Sequence, residues 1–168
     1  MSYLTVPLHS SHKKGSFRCG KPLLDNYIHT QAKQDVKRKL SACFILPDEE
    51  NNVKGYYTLS SAVIQQELLP EEIRGKLPPT YVDLPTTLLG RLAVDDKYHG
   101  QGNGELLLMD ALKRSLDVST QIGSMAVIVD PIDEDAVGFY QKFGFTPLPD
   151  SGKMFLPMTS IVELFSGQ

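Results

Sequence analysis

Residues 87–94, Thr-Leu-Leu-Gly-Arg-Leu-Ala-Val, run into Asp95-Asp96-Lys97-Tyr98-His99-Gly100-Gln101-Gly102 and then into Asn103-Gly104-Glu105-Leu106-Leu107-Leu108. The first piece is a mainly apolar run of the kind a buried strand carries. The last piece opens a segment with apolar residues at 108, 111, 112 and 116, the spacing of a helix with one buried face, so a helix is expected over Asn103 to Leu116. Between them, Asp95 to Gly102 reads as a turn, and glycines alternate at 100, 102 and 104. A helix start offers unpaired backbone N–H groups and a partial positive charge, and glycine lets the main chain approach a ligand closely. A strand, a glycine turn and a helix in that order make a cradle for a pyrophosphate. The same residues also suit a turn that only packs tightly, and spacing alone does not choose. Two other phosphate motifs are excluded: a dinucleotide fingerprint starting at Gly100 requires glycine where Glu105 stands, and a P-loop requires Lys then Ser or Thr where Glu105 and Leu106 stand.

Working outward, Ser41 to Leu46 is a short apolar strand, Asp48 to Asn52 has turn chemistry, and Val53 to Val63 is rich in β-formers, so the two strands form a hairpin. Ahead of them, Pro22 followed by Leu23, Leu24, Tyr27, Ile28, Ala32 and Val36 describes one amphipathic helix. Residues 65–86 are rich in Pro and Glu and read as an inserted loop with a short helix near Glu71 to Gly75. Downstream, Ser124 to Val129 is a buried-type strand. Asp133 N-caps a helix that reaches Phe143 and stops at Gly144. Phe145 to Leu148 and Met154 to Met158 are closing strands. The order gives a mixed α/β chain, residues 1–168, folded as one domain around one sheet.

The 168 residues, 41% hydrophobic and 22% charged, are those of an ordinary globular domain. No apolar run approaches the ~20 residues of a membrane span, and the N-terminus lacks a signal-peptide pattern, so a cytoplasmic protein with no membrane association is expected. Cys19 and Cys43 are expected as free thiols, and no Cys/His cluster has zinc-ligand spacing, so no metal site is expected. The net charge of −3 argues against a general nucleic-acid binder, yet its distribution is uneven: residues 1–40 hold eight Lys/Arg against two acids, and the remainder nine against eighteen. Lys37, Arg38 and Lys39 either complement a helix C-terminus or face an anionic partner.

The stretch Val94-Asp95 to Gly104 resembles the acyl-CoA signature of the GNAT superfamily of N-acetyltransferases, Arg/Gln-x-x-Gly-x-Gly/Ala, with Gly102 and Gly104 at its small positions. His99 stands where Arg or Gln is usual, and Asn103 where an aliphatic is usual. The second signature is matched by Ala136, Phe139-Tyr140 and Phe143-Gly144-Phe145. Further blocks, Phe17-x-Cys19-Gly20, Leu24-Asp25-x-Tyr27, Gly55 to Ser60, Leu77-Pro78-Pro79-x-Tyr81, Leu89 to Asp95 and Leu156-Pro157-Met158, are similar to the GNAT-type toxins of toxin–antitoxin pairs. The resemblance implies a central, mostly antiparallel sheet with splayed middle strands flanked by helices. It implies acetyl-CoA bound by Leu92, Ala93, Val94, His99, Gly100, Gln101, Gly102, Asn103, Gly104 and Phe139, with Tyr140 as general acid. It further implies the α-amine of aminoacyl-tRNA as acceptor, a ribbon–helix–helix antitoxin as partner, and a homodimer. Arg91, Lys33, Lys37 and Arg38 are then the candidate acceptor-binding residues.

Spacing alone gives Tyr140 another reading, since Ala136, Phe139, Tyr140 and Phe143 fall on one helix face. No general base stands out; Glu67, Asp96 and His99 are the polar candidates. An α-amine of pKa about 8 loses its proton far more readily than a lysine at about 10.4, which suits a site without a base. A small amine or a protein as acceptor is the alternative within the enzyme class, and an acyl-CoA sensor without turnover is the alternative outside it.

Overall fold

A computed structural model describes residues 2–167 of the protein. In chain order the elements are β1 (Val6–Pro7), α1 (Pro22–Thr30), α2 (Ala32–Lys37), β2 (Ala42–Pro47), β3 (Val53–Gln65), α3 (Glu71–Arg74), β4 (Asp83–Val94), α4 (Asn103–Val118), β5 (Ala126–Val129), α5 (Glu134–Lys142), β6 (Thr146–Pro147), β7 (Met154–Pro157) and α6 (Met158–Ser166). Among the described residues the strands form one seven-stranded sheet in the order β1-β2-β3-β4-β5-β7-β6. The pairs β1–β2, β2–β3, β5–β7 and β6–β7 are antiparallel. This is the expected mixed α/β fold with a mostly antiparallel sheet. No helix among the described residues is long and apolar enough to cross a membrane. Among the described residues the chain clusters into two compact units, 2–60 with 89–114, and 61–88 with 115–167.

In the first unit the β2–β3 hairpin is read from its register. Cys43 opposes Thr58, Phe44 opposes Tyr57 and Ile45 opposes Tyr56. Directly opposed residues share a face, so Cys43, Ile45 and Tyr56 join Phe17, Leu24, Tyr27, Ile28 and Ala93 in one core cluster. Phe44 and Tyr57 face the other way, with ring centroids 5.3 Å apart. The α1 stripe of Leu24, Tyr27 and Ile28 is buried, with Pro22 in its first turn, and Leu24 also offers its carbonyl to the Tyr56 hydroxyl at 2.7 Å. The single helix expected over Pro22 to Val36 is broken into two. The Thr30 hydroxyl donates back to the Asn26 carbonyl at 2.7 Å, a bond that bends helices, and Gln31 leaves helical geometry at φ −123°, ψ −32°.

In the second unit Ile64, Leu69, Leu84, Ala126, Ile128, Leu148 and Phe155 form the core. All four residues of β5 are buried, which is why that strand reads as an unbroken apolar run rather than an alternating one. The stretch expected as a loop over 65–86 is more ordered than its prolines suggested. β3 runs on to Gln65 and β4 starts at Asp83, through Pro85. Pro85 has no N–H to donate, but its carbonyl accepts from Met125 N–H at 2.9 Å, so the strand is paired there on its acceptor side. Two elements were not read from the sequence at all, the two-residue β1 and the C-terminal α6, whose buried Met158 and Ile161 begin an i, i+3 stripe.

At α5 the expected cap is present: the Asp133 carboxylate accepts from Ala136 N–H at 2.9 Å. Gly144 takes φ +97° just past the helix. Asp133→Ala should therefore lower folding stability by about 1 kcal/mol, read as an earlier midpoint in urea with an unchanged slope.

Candidate functional site

The turn between β4 and α4 holds two glycines in the left-handed region, Gly100 at φ +75° and Gly102 at φ +80°. A side chain at either position is strained by backbone geometry, although the space beside each is open. The first intrahelical bond of α4 runs from Leu106 N–H to the Gly102 carbonyl at 3.1 Å. The amides of the turn preceding it therefore have no partner within the helix. A cavity of about 250 Å³ opens here, lined by Leu92, Ala93, Val94, Tyr98, His99, Gly100, Gly102, Asn103 and Gly104.

Polar side chains around the turn are spent on its own backbone. The His99 imidazole Nε2–H donates to the Val94 carbonyl at 2.7 Å. A carbonyl only accepts, so Nε2 carries the proton, and in the neutral ring Nδ1 is then an acceptor. His99 thus folds the turn and, when neutral, has no donor left for an anion. The Asn103 side-chain amide likewise donates to the Tyr98 carbonyl at 3.1 Å. Asp95, only 1% exposed, caps the short 3-10 turn Asp96–Tyr98 by accepting from Lys97 N–H at 2.9 Å. Its other oxygen accepts from Arg18 N–H at 3.2 Å, pinning the segment before α1 to this turn. What the arrangement presents outward is main-chain N–H, a helix N-terminus and the apolar side chains of β4. That set fits a diphosphate joined to a flexible, partly apolar arm.

The turn is brought against β3 by Gly55. A Cβ there would lie 2.8 Å from Leu107 Cδ1 and 3.0 Å from the Ala93 carbonyl oxygen. Only a residue without a side chain lets β3, the end of β4 and the first turns of α4 meet this closely. A glycine inside a run of β-formers was the available sequence signal.

Of the ten residues expected to bind cofactor, eight line this cavity; Gln101 is exposed and outside the lining, and Phe139 belongs to the second unit. Tyr98 lines it too and was missed. Its hydroxyl points to Asp48 at 3.4 Å and the Lys54 ammonium sits 4.8 Å over its ring. Arg91 does not line the cavity. Its guanidinium lies 3.6 Å from the centroid of the Tyr27 ring, and the Tyr27 hydroxyl donates to Asp35 on α2 at 2.8 Å. Burial, then the Asp35 hydrogen bond, pushes the Tyr27 phenol up to about 12 against the pull of Arg91, so it stays neutral. Lys33, Lys37 and Arg38 are exposed on α2 and its end, with Lys39 beside them.

In the second unit Tyr140 packs at 5.4 Å from Phe139 and 5.2 Å from Phe145, ring centroid to centroid. Burial raises its pKa well above the ordinary phenol range, which keeps the hydroxyl protonated. Tyr140 thus lies in the aromatic stripe that its spacing gave, with its hydroxyl neutral. Glu67 and Asp96 are exposed.

A family model described as an acetyltransferase (GNAT) domain matches residues 40–147. A tRNA-acetylating toxin of Mycobacterium tuberculosis is 34% identical over 134 residues, which span 80% of this chain and 78% of that protein. The solved structure of AtaT complexed with acetyl-methionyl-tRNAfMet has 30% sequence identity and a TM-score of 0.88, covering 96% of this chain and 98% of that one. A structure of a mutant AtaT toxin bound to the C-terminus of the antitoxin AtaR and acetyl-CoA has 27% identity and a TM-score of 0.81, covering 96% and 97% of the respective chains.

The geometry of the turn makes two substitutions informative. Gly102→Ala should cost about 1–2 kcal/mol of stability through its left-handed backbone and weaken acetyl-CoA binding, measured by calorimetry. Gly55→Ala should cost about 1–3 kcal/mol by overpacking and weaken the same binding, although residue 55 is outside the cavity lining.

Proposed function

The chain belongs to the GNAT acetyltransferase family, and we propose that it transfers the acetyl group of acetyl-CoA to the α-amine of aminoacyl-tRNA as the toxin of a toxin–antitoxin pair. The observation that carries the cofactor half of this reading is the cavity where β4 ends and α4 begins, with its two left-handed glycines. The likeness to a tRNA-acetylating toxin, and to AtaT in complex with acetylated methionyl-tRNA, supports the acceptor half. We take residues 1–168 as one catalytic domain. It acts in the cytoplasm, where charged tRNA is found, and a ribbon–helix–helix antitoxin restrains it.

Acetyl-CoA supplies an activated thioester. The main-chain amides at Gly102, Asn103 and Gly104, with the α4 dipole, hold the diphosphate, and the β4 backbone at Leu92, Ala93 and Val94 runs beside the pantetheine arm. The neutral α-amine attacks the thioester carbon, so that a C–N bond forms as the C–S bond breaks. The amine's surplus proton leaves through water, which its modest basicity permits without a protein base. Tyr140 gives its proton to the departing sulfur and recovers one from solvent. Lys33, Lys37, Arg38 and Lys39 meet tRNA phosphates, and Arg91, stacked on Tyr27, is a further candidate contact.

Incubation with labelled acetyl-CoA and a pool of charged tRNAs, with free amino acids and polyamines as controls, should label aminoacyl-tRNA alone. Label on the small amines alone would overturn the acceptor. Tyr140→Phe keeps the ring packing and should lower acetyl transfer at least about tenfold with acetyl-CoA affinity nearly unchanged; a fully active Phe variant would remove the general-acid role. Reversing the charges at Lys33, Lys37, Arg38 and Lys39 should raise KM for tRNA and flatten its salt dependence without altering acetyl-CoA binding. A patch that is merely a solvated helix end would leave both tRNA readouts unmoved.

A further inference from the structure

The first unit contains a closed polar network that the reaction does not use. It joins residues 2–5, β3 and α4. Asp110 is buried on α4, its side chain 3% exposed. One of its oxygens accepts from Leu4 N–H at 2.6 Å. The other accepts from the Thr5 hydroxyl at 2.6 Å and the Tyr57 hydroxyl at 2.8 Å. One helical turn on, Arg114 supplies the opposite charge to the same two hydroxyls. Its Nε–H donates to the Tyr57 oxygen at 2.9 Å, and its Nη2 donates to the Thr5 hydroxyl at 3.0 Å and the Thr5 carbonyl at 3.1 Å. The guanidinium also sits 3.9 Å from both the Tyr3 and the Phe44 ring centroids. Each hydroxyl therefore donates to the carboxylate and accepts from the guanidinium. Burial keeps the Tyr57 phenol neutral, as this relay requires.

Such a network is directional where an apolar contact is not. Leucine on a sheet tolerates sliding of a fraction of an ångström; a buried carboxylate with three short donors does not. Its location matters for that reason. Gly55 and Tyr57 lie on one face of β3, two residues apart. Gly55 receives Leu107, the residue one turn into α4, and Tyr57 receives Asp110 and Arg114. The helix is thus held to one strand at two heights, by steric closeness at the first and by hydrogen bonds at the second. Asp110 lies about 10 Å along the axis from Asn103, and a helix transmits rotation at one end to the other. We propose that Asp110, Arg114, Thr5 and Tyr57 are positioning residues that set the axial height and rotation of α4, so that its N-terminal amides meet the cofactor. This rests on the reading of that helix start as the diphosphate cradle.

The test uses the full chain and acetyl-CoA as the probe. Thr5→Val keeps the shape and removes the hydroxyl, leaving the carboxylate and the guanidinium each one partner short. At a temperature where circular dichroism shows the variant folded, its Kd for acetyl-CoA should rise about tenfold, with turnover at saturating acetyl-CoA changed less than about twofold. Thr5→Ser should restore binding. Leu148→Ala, in the core of the second unit, should lower the unfolding midpoint with no change in Kd. Amide exchange at residues 103–107 should quicken in Thr5→Val and not in Leu148→Ala. If Thr5→Val does not fold, Tyr57→Phe carries the same test, since it removes only one oxygen. A folded hydroxyl-deleted variant that binds acetyl-CoA like the unaltered protein, or a Leu148→Ala variant that binds as poorly as Thr5→Val, would overturn the inference and leave the network a stabilising device only. Failure of the unaltered protein to bind acetyl-CoA would instead overturn the cradle itself.

Discussion

The backbones of β3 and β4 and the Leu107 side chain of α4 meet at Gly55, and a methyl group there would be crowded: the Ala93 carbonyl lies at 3.0 Å and Leu107 Cδ1 at 2.8 Å from where one would stand. The end of β4 and the first turns of α4 take their positions from this closeness. A methyl group at 55 would push β3 away from both neighbours. A side chain at 55 gains nothing elsewhere to offset that, so the strand accepts the weaker β-propensity of glycine in its interior.

Around that contact the turn solves a problem of polar accounting. A chain that reverses between strand and helix exposes carbonyls as well as amides, and carbonyls repel an anion. His99 and Asn103 neutralise two of them, at Val94 and Tyr98, by donating side-chain N–H groups. Positive potential from the helix start is then left less opposed. The usual Arg or Gln at position 99 of the signature offers donors to the ligand; a histidine bound through Nε2 acts on the backbone instead. The substitution changes which partner the side chain serves and leaves the main-chain donors in place. Asp95 completes the arrangement from beneath, since one carboxylate fixes both the 3-10 turn and the segment ending at Arg18.

Much of this was legible in the sequence because the relevant signals are local. The glycines at 100 and 102, the cap at Asp133 and the stop at Gly144 each announce a backbone requirement that few other residues meet. The runs at 41–46 and 124–129 announce strands by their apolar content. What stayed hidden is non-local. β1 is two residues long and exists because β2 offers it an edge; Val6 and Pro7 carry no strand signal of their own. The break at Gln31 follows a Thr30 side chain bonding backward, which the stripe of apolar residues does not report. Pro85 argued against a strand until its carbonyl found Met125. Asp110 and Arg114 lie outside the apolar stripe of α4, and residues 4 and 5 bond to them. The partners of a buried charge lie about a hundred positions away, at Leu4 and Thr5, and no periodicity points to them.

The same distinction governs the protein's positive charge. Counting Lys and Arg over residues 1–40 gives a strongly basic segment, but a count treats every cation as equally free. Arg114 is consumed inside the first unit by two hydroxyls, a carboxylate and two rings, and Arg91 lies flat on Tyr27. Guanidinium groups suit such places because they are planar and weakly hydrated; an ammonium would lose more hydration there. The lysines at 33, 37 and 39, with Arg38, are left at the surface, where a phosphate backbone can reach them without desolvation of a buried site. Arg91 differs from these four in kind. Its stack on Tyr27, and the bond from Tyr27 to Asp35 on α2, couple the cofactor strand to the helix that carries the exposed cations.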